Sequence, residues 1–242
     1  MAKIAQGIGE ALFDIPYLCF AIYVGLKMKR YGQSAFTQLF GTMAILIAFG
    51  DSFHLFPRIF ALLGKGLDNS TFSLGLGKFI TSITMTFFYL KLFYALESYT
   101  SRKSKLLDRA SVLCAALRIV LCFFPQNNWF SKQPSLNWGI WRNIPFICLG
   151  GITVYQCLLH YFQKKDVLAL QIGIAIILSF AFYLPVVFFA HKWKAIGMLM
   201  IPKTITYIWI LFIGWKVFKQ EQYGNSGEKI LIKQERLNQK VK

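Results

Sequence analysis

The sequence predicts an all-α integral membrane protein, a bundle of seven transmembrane helices with the N-terminus outside and the C-terminus in the cytoplasm. Hydrophobic residues make up 56% of the 242 residues and charged residues only 15%, whereas about a quarter of an ordinary soluble domain is charged. Apolar runs of membrane-spanning length recur along almost the whole chain, and basic residues concentrate in alternate connections. This composition excludes a water-soluble globular enzyme.

Seven apolar stretches, separated by segments richer in Lys, Arg, Gly, Asn or Pro, predict the seven helices. They lie at about 6–26, 36–57, 77–97, 110–125, 142–162, 168–190 and 195–216, so that residues 1–216 form the transmembrane domain. The fourth stretch is the shortest and contains Arg118. Its loss would reverse the orientation of every helix after it.

The basic residues set the predicted orientation. Lys and Arg number 27 against 10 Asp and Glu, which gives a net charge of +17. Sixteen of them lie in the odd-numbered connections and the C-terminal segment and eight on the other side, and short cytoplasmic loops are the basic ones. Membrane topology thus explains the charge, and no nucleic-acid partner is predicted. We expect a multi-pass protein of the cell membrane that contacts membrane lipids, with its oligomeric state open.

Residues 217–242 form a basic cytoplasmic tail, which we expect to be disordered or to lie on anionic lipid. The five cysteines lie inside apolar runs without C-x-x-C spacing, and the three histidines are far apart in the sequence. This pattern predicts neither a disulfide framework nor a metal site. No motif for nucleotide binding or for a known hydrolase is present, so no cofactor is predicted.

Ionisable residues inside membrane helices are costly and mark functional sites by default. At about 1.5 Å of rise per residue, four of them lie at one depth, roughly 10 to 12 Å below the outer ends of helices one, two, four and seven. These four are Asp14, Asp51, Arg118 and Lys203. Their shared depth predicts that they face one another in the outer half of the bundle.

Four further residues extend this group toward the outer surface. His54 and Arg58 follow Asp51 at i+3 and i+7, which places all three on one face of helix two, and Lys78 and Arg142 open helices three and five. Structural roles compete with functional ones. Lys78, Arg58 and Arg142 can anchor helices by reaching the interface, and Asp51 can form a structural ion pair with Lys203 or Arg118.

The basic residues of this group outnumber the acidic ones by three, more than internal pairing can neutralise. The sequence therefore predicts a cationic pocket for an anionic lipid headgroup or a small anion, with Arg58, Lys78, Arg118, Arg142, Lys203 and Asp14 as ligand-binding residues.

The chemistry at this pocket is left open. Asp51 and His54 are the candidate acid–base pair of a membrane-embedded hydrolase or transferase, because one helical turn allows a hydrogen bond between them. The alternatives are a seven-helix sensor, receptor-like or assembly protein, and an organic-anion carrier. Few polar residues in the inner half match a carrier's path, and no inverted repeat is detectable.

Overall fold

The computed structural model describes the backbone of residues 2–64, 66–189 and 192–240, and the side chains of residues 4–64, 66–67, 69–189, 192–193 and 196–224. The fold is all-α: 89% of the chain is helical, and the described residues form no strand. Seven helices are present, as predicted. They are α1 (Ala2–Tyr31), α2 (Ala35–Leu63), α3 (Thr71–Thr100), α4 (Lys105–Phe123), α5 (Leu136–Lys164), α6 (Val167–Phe189) and α7 (Met200–Lys240).

Six of these helices, all but α4, are long and apolar enough to cross a membrane. Their outward faces carry large exposed apolar side chains, among them Leu12, Phe60, Phe162 and Phe212. Such faces suit contact with lipid rather than water. The chain is therefore a multi-pass helical membrane protein.

Helix α4 has 19 residues, about 28 Å of length, and its four charged residues lower its hydropathy. It nevertheless runs beside α3 from end to end. Ser104, which caps its start, donates its backbone N–H to Glu97 near the end of α3 at 3.4 Å, and the Phe123 ring at its end lies 5.3 Å from the Phe79 ring near the start of α3. Helix α4 therefore runs antiparallel to α3 and crosses the bundle in the opposite direction over the same depth.

Several helix ends lie about five or six residues from their predicted positions, and the end of α7 differs most. Helix α2 continues past Pro57 to Leu63, and α7 continues past residue 216 to Lys240. A proline kinks a helix without ending it where neighbouring helices support the backbone. The segment 217–240 is a helical continuation of α7, so disorder is wrong for these residues and contact of the tail with anionic lipid stays a prediction; residues 241 and 242 of the predicted tail lie outside the described residues.

Two glycines bring α2 and α3 into close contact. A Cβ atom at Gly77 would collide with the backbone carbonyl of Phe53, and one at Gly50 would collide with the side chain of Thr84. The Thr81 hydroxyl also donates to the Gly50 carbonyl at 2.8 Å. Small residues of this kind let membrane helices approach backbone to backbone, and here they fix the part of α2 that follows Gly50.

We call the end of the bundle where α1 begins and α2 ends the outer end, after the predicted orientation, and the opposite end the inner end. At the outer end, Arg58 of α2 binds Glu10 of α1. At the inner end, Glu221 of α7 accepts the backbone N–H groups of Gln33 and Ser34, which precede α2. These contacts connect α1 and α2 at one end and α7 to the α1–α2 connection at the other.

Candidate functional site

The structure brings the eight predicted site residues together in the outer half of the bundle. Each lies close enough to at least one other to interact electrostatically, and the pairs link all eight into one connected group. We call this group the outer cluster: Asp14, Asp51, His54, Arg58, Lys78, Arg118, Arg142 and Lys203. They come from α1, α2, α3, α4, α5 and α7, so the common depth predicted from the sequence corresponds to real proximity.

Arg118 is the most deeply buried cation of the outer cluster. It is 2% exposed, and its guanidinium carbon lies 3.3 Å from the centroid of the Phe146 ring. Its Nε and Nη1 atoms are buried and have no hydrogen-bond partner among the described residues. The ring stacks against the flat face of the guanidinium but supplies no acceptor for these two N–H groups.

Lys203 is 6% exposed and lies between two tyrosine rings of α6 and α7. Its Nζ atom is 5.1 Å from the centroid of Tyr183 and 5.0 Å from that of Tyr207. No carboxylate oxygen of a described residue lies within 4.0 Å of this ammonium. Lys203 is thus held in place by aromatic faces, and its charge is not neutralised by an ion pair.

Asp51 is 8% exposed, and its Oδ2 atom accepts a hydrogen bond of 2.8 Å from the Tyr17 hydroxyl of α1. Neither Lys203 nor Arg118 forms an ion pair with it within 4.0 Å. The structural ion pair considered from the sequence is therefore not formed. Lys203 still interacts with Asp51 through space, without direct contact.

His54 does not pair with Asp51. Its Nδ1 atom is buried without a hydrogen-bond partner in the described part of the chain, and the charges that act on it are those of Lys78, Arg58 and Lys203. The hydrogen bond that one helical turn permits is absent because the Asp51 carboxylate is directed to Tyr17 on α1. The two remain candidates for acid–base chemistry, but as separate groups.

Arg58 binds Glu10 through two parallel hydrogen bonds of 2.7 and 2.9 Å. These two hydrogen bonds use the guanidinium N–H groups with which Arg58 would otherwise bind a ligand oxyanion. Glu10 was missed as a site residue, although it lies near the outer end of the helix adjacent to that of Arg58. With the pair counted as neutral, the cluster's excess of basic charge falls from three to two.

Arg142 and Lys78 keep their charges. The Nη1 atom of Arg142 donates to the Asn127 amide oxygen at 2.8 Å, and its guanidinium carbon lies 4.1 Å from the centroid of the Trp129 ring. Lys78 is exposed on α3, as expected of a lysine that reaches the interface. The neutral contacts of Arg142 orient its side chain and leave its positive charge unbalanced.

Asp14 is 6% exposed and makes no hydrogen bond or ion pair with any described residue. The groups that act on its carboxylate are the acids Glu10 and Asp51 and the already paired Arg58. The acidic side of the cluster, on α1 and α2, is therefore as poorly matched as the basic side.

Three polar residues of the site were not predicted from the sequence. Tyr17 binds Asp51, Asn127 accepts from Arg142, and Asn143, which is buried, accepts from the Tyr183 hydroxyl at 2.9 Å. Asn143 directly follows Arg142 inside an apolar run, and a polar amide there was the available signal. These three residues are uncharged, so a count of charged residues in the helices does not select them.

The described residues contain no group of three His, Cys, Asp or Glu side chains placed to hold a metal ion. No protein-family model, curated protein or solved structure matches this chain. The chemical character of the site thus follows from its own geometry: buried cations without acceptors on one side, and buried carboxyls without cations on the other.

Proposed function

We propose that the outer cluster binds an oxyanion, the phosphate or carboxylate group of a lipid headgroup or of a small molecule, and that Arg118 and Lys203 are its main ligands. The observation that carries this proposal is that two buried donor nitrogens of Arg118, Nε and Nη1, have no acceptor among the described residues. Arginine offers a planar fork that matches a carboxylate or phosphate. Lys203, close to Arg118, adds a second positive charge.

Energetics favour a ligand over an empty site. A buried donor without a partner costs about 1–3 kcal/mol, and more when it is charged. Buried polar groups in proteins are almost always satisfied, by the chain, by water or by a ligand. Water can satisfy the donors, whereas an oxyanion satisfies them and also places a negative charge beside the buried Arg118 and Lys203.

Binding is better supported than catalysis. A hydrolase or transferase that used Asp51 and His54 as a linked acid–base pair would need them within hydrogen-bond reach of each other or of one substrate, and Asp51 instead binds Tyr17. A sensor, an assembly protein or an organic-anion carrier would each begin with the same binding step. That step is therefore the one to test first.

The test is native mass spectrometry of the full-length chain purified in a mild detergent, followed by titration with short-chain phosphatidylglycerol and with inorganic phosphate. We compare the wild type with Arg118→Gln, Lys203→Gln and the control Arg109→Gln. Arg109 is an exposed arginine on the same helix, α4, near the inner end. Thermal unfolding of each variant separates loss of ligand from loss of fold.

We expect the wild type and Arg109→Gln to bind a phosphate- or carboxylate-bearing molecule. The other two variants should bind it at least about tenfold more weakly, since one charged hydrogen bond contributes about 1.5–3 kcal/mol. Equal binding by all four proteins, or no binding by the wild type under any condition, would overturn the proposal. Binding of free phosphate as well as of the lipid would indicate a small anion rather than a headgroup.

The outer cluster is proposed to face the outside of the cell membrane, because the basic residues concentrate at the other end of the bundle. A single cysteine placed at exposed Lys132, in a chain whose native cysteines are replaced by alanine, should react in intact cells with a maleimide that cannot cross membranes. A cysteine at exposed Arg102 should react only after the cells are opened. The reverse pattern would invert the assigned orientation.

A further inference from the structure

The acidic side of the outer cluster lacks a cation. Asp14 on α1 and Asp51 on α2 are at least nine-tenths buried and interact with each other electrostatically. The nearby Arg58 is held by Glu10 in a two-point contact. Tyr17 supplies Asp51 with one hydrogen bond but no charge. Two buried carboxyls side by side need a proton or a cation to balance them.

Lys203 provides a second, independent observation. Its ammonium is buried and interacts with both Asp51 and Arg118, yet no oxygen of Asp51 lies within 4.0 Å of it. Opposite charges buried in an apolar medium attract strongly. That they stay apart shows that the packing of α2 and α7 does not join them, so each can face a group from a ligand.

Four buried charged groups of the outer cluster are linked as electrostatic neighbours. The links connect Asp14 of α1 to Asp51 of α2, Asp51 to Lys203 of α7, and Lys203 to Arg118 of α4. Two carboxyls and two cations from four different helices therefore lie in one region of the outer half. A ligand that matched only the cations would leave the carboxyls buried and unbalanced.

We propose that the ligand of the outer cluster is zwitterionic, with an ammonium group bound by Asp14 and Asp51 and a phosphate or carboxylate group bound by Arg118 and Lys203. This inference rests on the oxyanion site proposed above and adds the second half of its ligand. The shared chemistry is an amine a few atoms from an oxyanion, which occurs in an aminophospholipid headgroup and in free amino acids or phosphoethanolamine.

The test measures selectivity for the amine. The full-length protein is titrated by native mass spectrometry with two short-chain lipids that have the same acyl chains, phosphatidylethanolamine and phosphatidylglycerol. Phosphoethanolamine and glycerol phosphate form the matched water-soluble pair, and glycine is added as the carboxylate zwitterion. The proteins are the wild type, Asp14→Asn, Asp51→Asn and the control Asp166→Asn, whose carboxylate lies at the inner end of the bundle beside His160.

We expect the wild type and Asp166→Asn to prefer the amine-bearing member of a pair by about tenfold or more, because a buried charge left unpaired discriminates strongly against the wrong ligand. Asp14→Asn and Asp51→Asn should lose this preference through weaker binding of the amine, with binding of phosphatidylglycerol unchanged or tighter. Preference within the lipid pair alone identifies a lipid headgroup, and preference within the soluble pair or for glycine identifies a free zwitterion.

The two proposals fail in different ways. If the wild type binds none of the five probes, the oxyanion site itself is wrong. If it binds both members of a pair equally, the oxyanion site stands and the zwitterionic ligand is overturned, whatever the variants do. The wild-type measurement therefore decides the question even where a variant does not fold.

Discussion

The outer and inner halves of this bundle differ in whether their polar groups have partners among the described residues. In the outer half, the Nε and Nη1 atoms of Arg118 are buried without a hydrogen-bond partner among the described residues, and the buried Lys203 and Asp14 form no ion pair with any of these residues. In the inner half, the Nε2 atom of His160 lies 3.3 Å from the Oδ2 atom of Asp166, and Arg102 donates to Gln163 at 2.8 Å. The same seven helices therefore contain one half in which this chain satisfies its charges and one half in which it does not.

The inner contacts connect successive helices. The Tyr94 hydroxyl of α3 donates to Asp108 of α4 at 2.7 Å, and Glu221 of α7 accepts N–H groups at the start of α2. Unmatched inner groups exist: Ser111 and Gln156 are neutral, and Glu221 has one carboxylate oxygen, Oε2, without a hydrogen-bond partner among the described residues, while its Oε1 accepts two N–H groups. A neutral unmatched group can be satisfied by one water, whereas a buried charge needs a counter-charge. The inner charged groups thus contact other parts of the bundle, whereas the buried charges of the outer cluster are the ones proposed to bind a ligand.

We expect the largest effect from replacing Arg118, and this variant tests whether the outer and inner halves differ as described. Replacing it by methionine keeps the volume and removes the unmatched donors, so we expect ligand binding to fall about 100-fold while the protein without ligand becomes more stable. Replacing buried charges by apolar residues is often neutral or stabilising by about 1–4 kcal/mol, and 1 kcal/mol shifts the melting temperature by about 2–4 °C at this size. Thermal unfolding with and without ligand measures both effects.

Arg102→Met is the matched change in the inner half, since that exposed arginine is satisfied by Gln163. It should leave both ligand binding and the melting temperature within experimental error, because exposed contacts contribute little. A fall in melting temperature in Arg118→Met, similar in size to that caused by breaking a buried ion pair, would show that Arg118 is structural and that the halves do not differ in this way.

The second-largest effect is expected at Arg58, which differs from the other cations of the outer half because it is paired with Glu10. Glu10→Gln leaves the Arg58 guanidinium with a neutral partner, and we expect a loss of about 1–3 kcal/mol in the free energy of unfolding. The double variant Glu10→Gln/Arg58→Gln should recover most of it, since no charge is then left unpaired. A thermodynamic cycle over the four proteins gives the coupling between the two residues.

Ligand affinity should hardly change in this series, because Arg58 is already committed to Glu10. If Arg58→Gln alone abolished binding while the fold stayed intact, Arg58 would be a ligand residue after all and its contact with Glu10 would be a resting state.

The sequence predicts the helices of this protein better than it predicts their side-chain partners. Hydropathy locates all seven helices, most securely the six that are long and apolar enough to cross a membrane, since a spanning helix must be apolar over a fixed length. Hydropathy places the end of α2 at Pro57, because it does not distinguish a proline inside a helix from one at its end. It places the end of α7 near residue 216, because the helix continues beyond its apolar part.

Depth along a helix is likewise readable from residue spacing, and it correctly brings Asp51, Arg118 and Lys203 into one region. The rotation of each helix about its axis is not readable in the same way. It is set by packing, such as the close approach of α2 to α3 at Gly50 and Gly77. This rotation directs Asp51 to Tyr17 rather than to His54, and it is why the predicted acid–base pair is not formed.

The smallest effect is expected at Glu221 of the inner half, whose Oε1 atom accepts two backbone N–H groups. Glu221→Ala removes the acceptor for backbone N–H groups at the start of α2, and a lost helix cap costs about 1 kcal/mol. The melting temperature should then fall by about 2–4 °C, with ligand affinity unchanged, since Glu221 lies at the end opposite the outer cluster. Glu221→Gln keeps an acceptor and should lose only a few tenths of a kcal/mol. A change in ligand affinity in Glu221→Ala would mean that the inner contacts of α7 control the position of Lys203 on the same helix, and the two halves would then be coupled rather than independent.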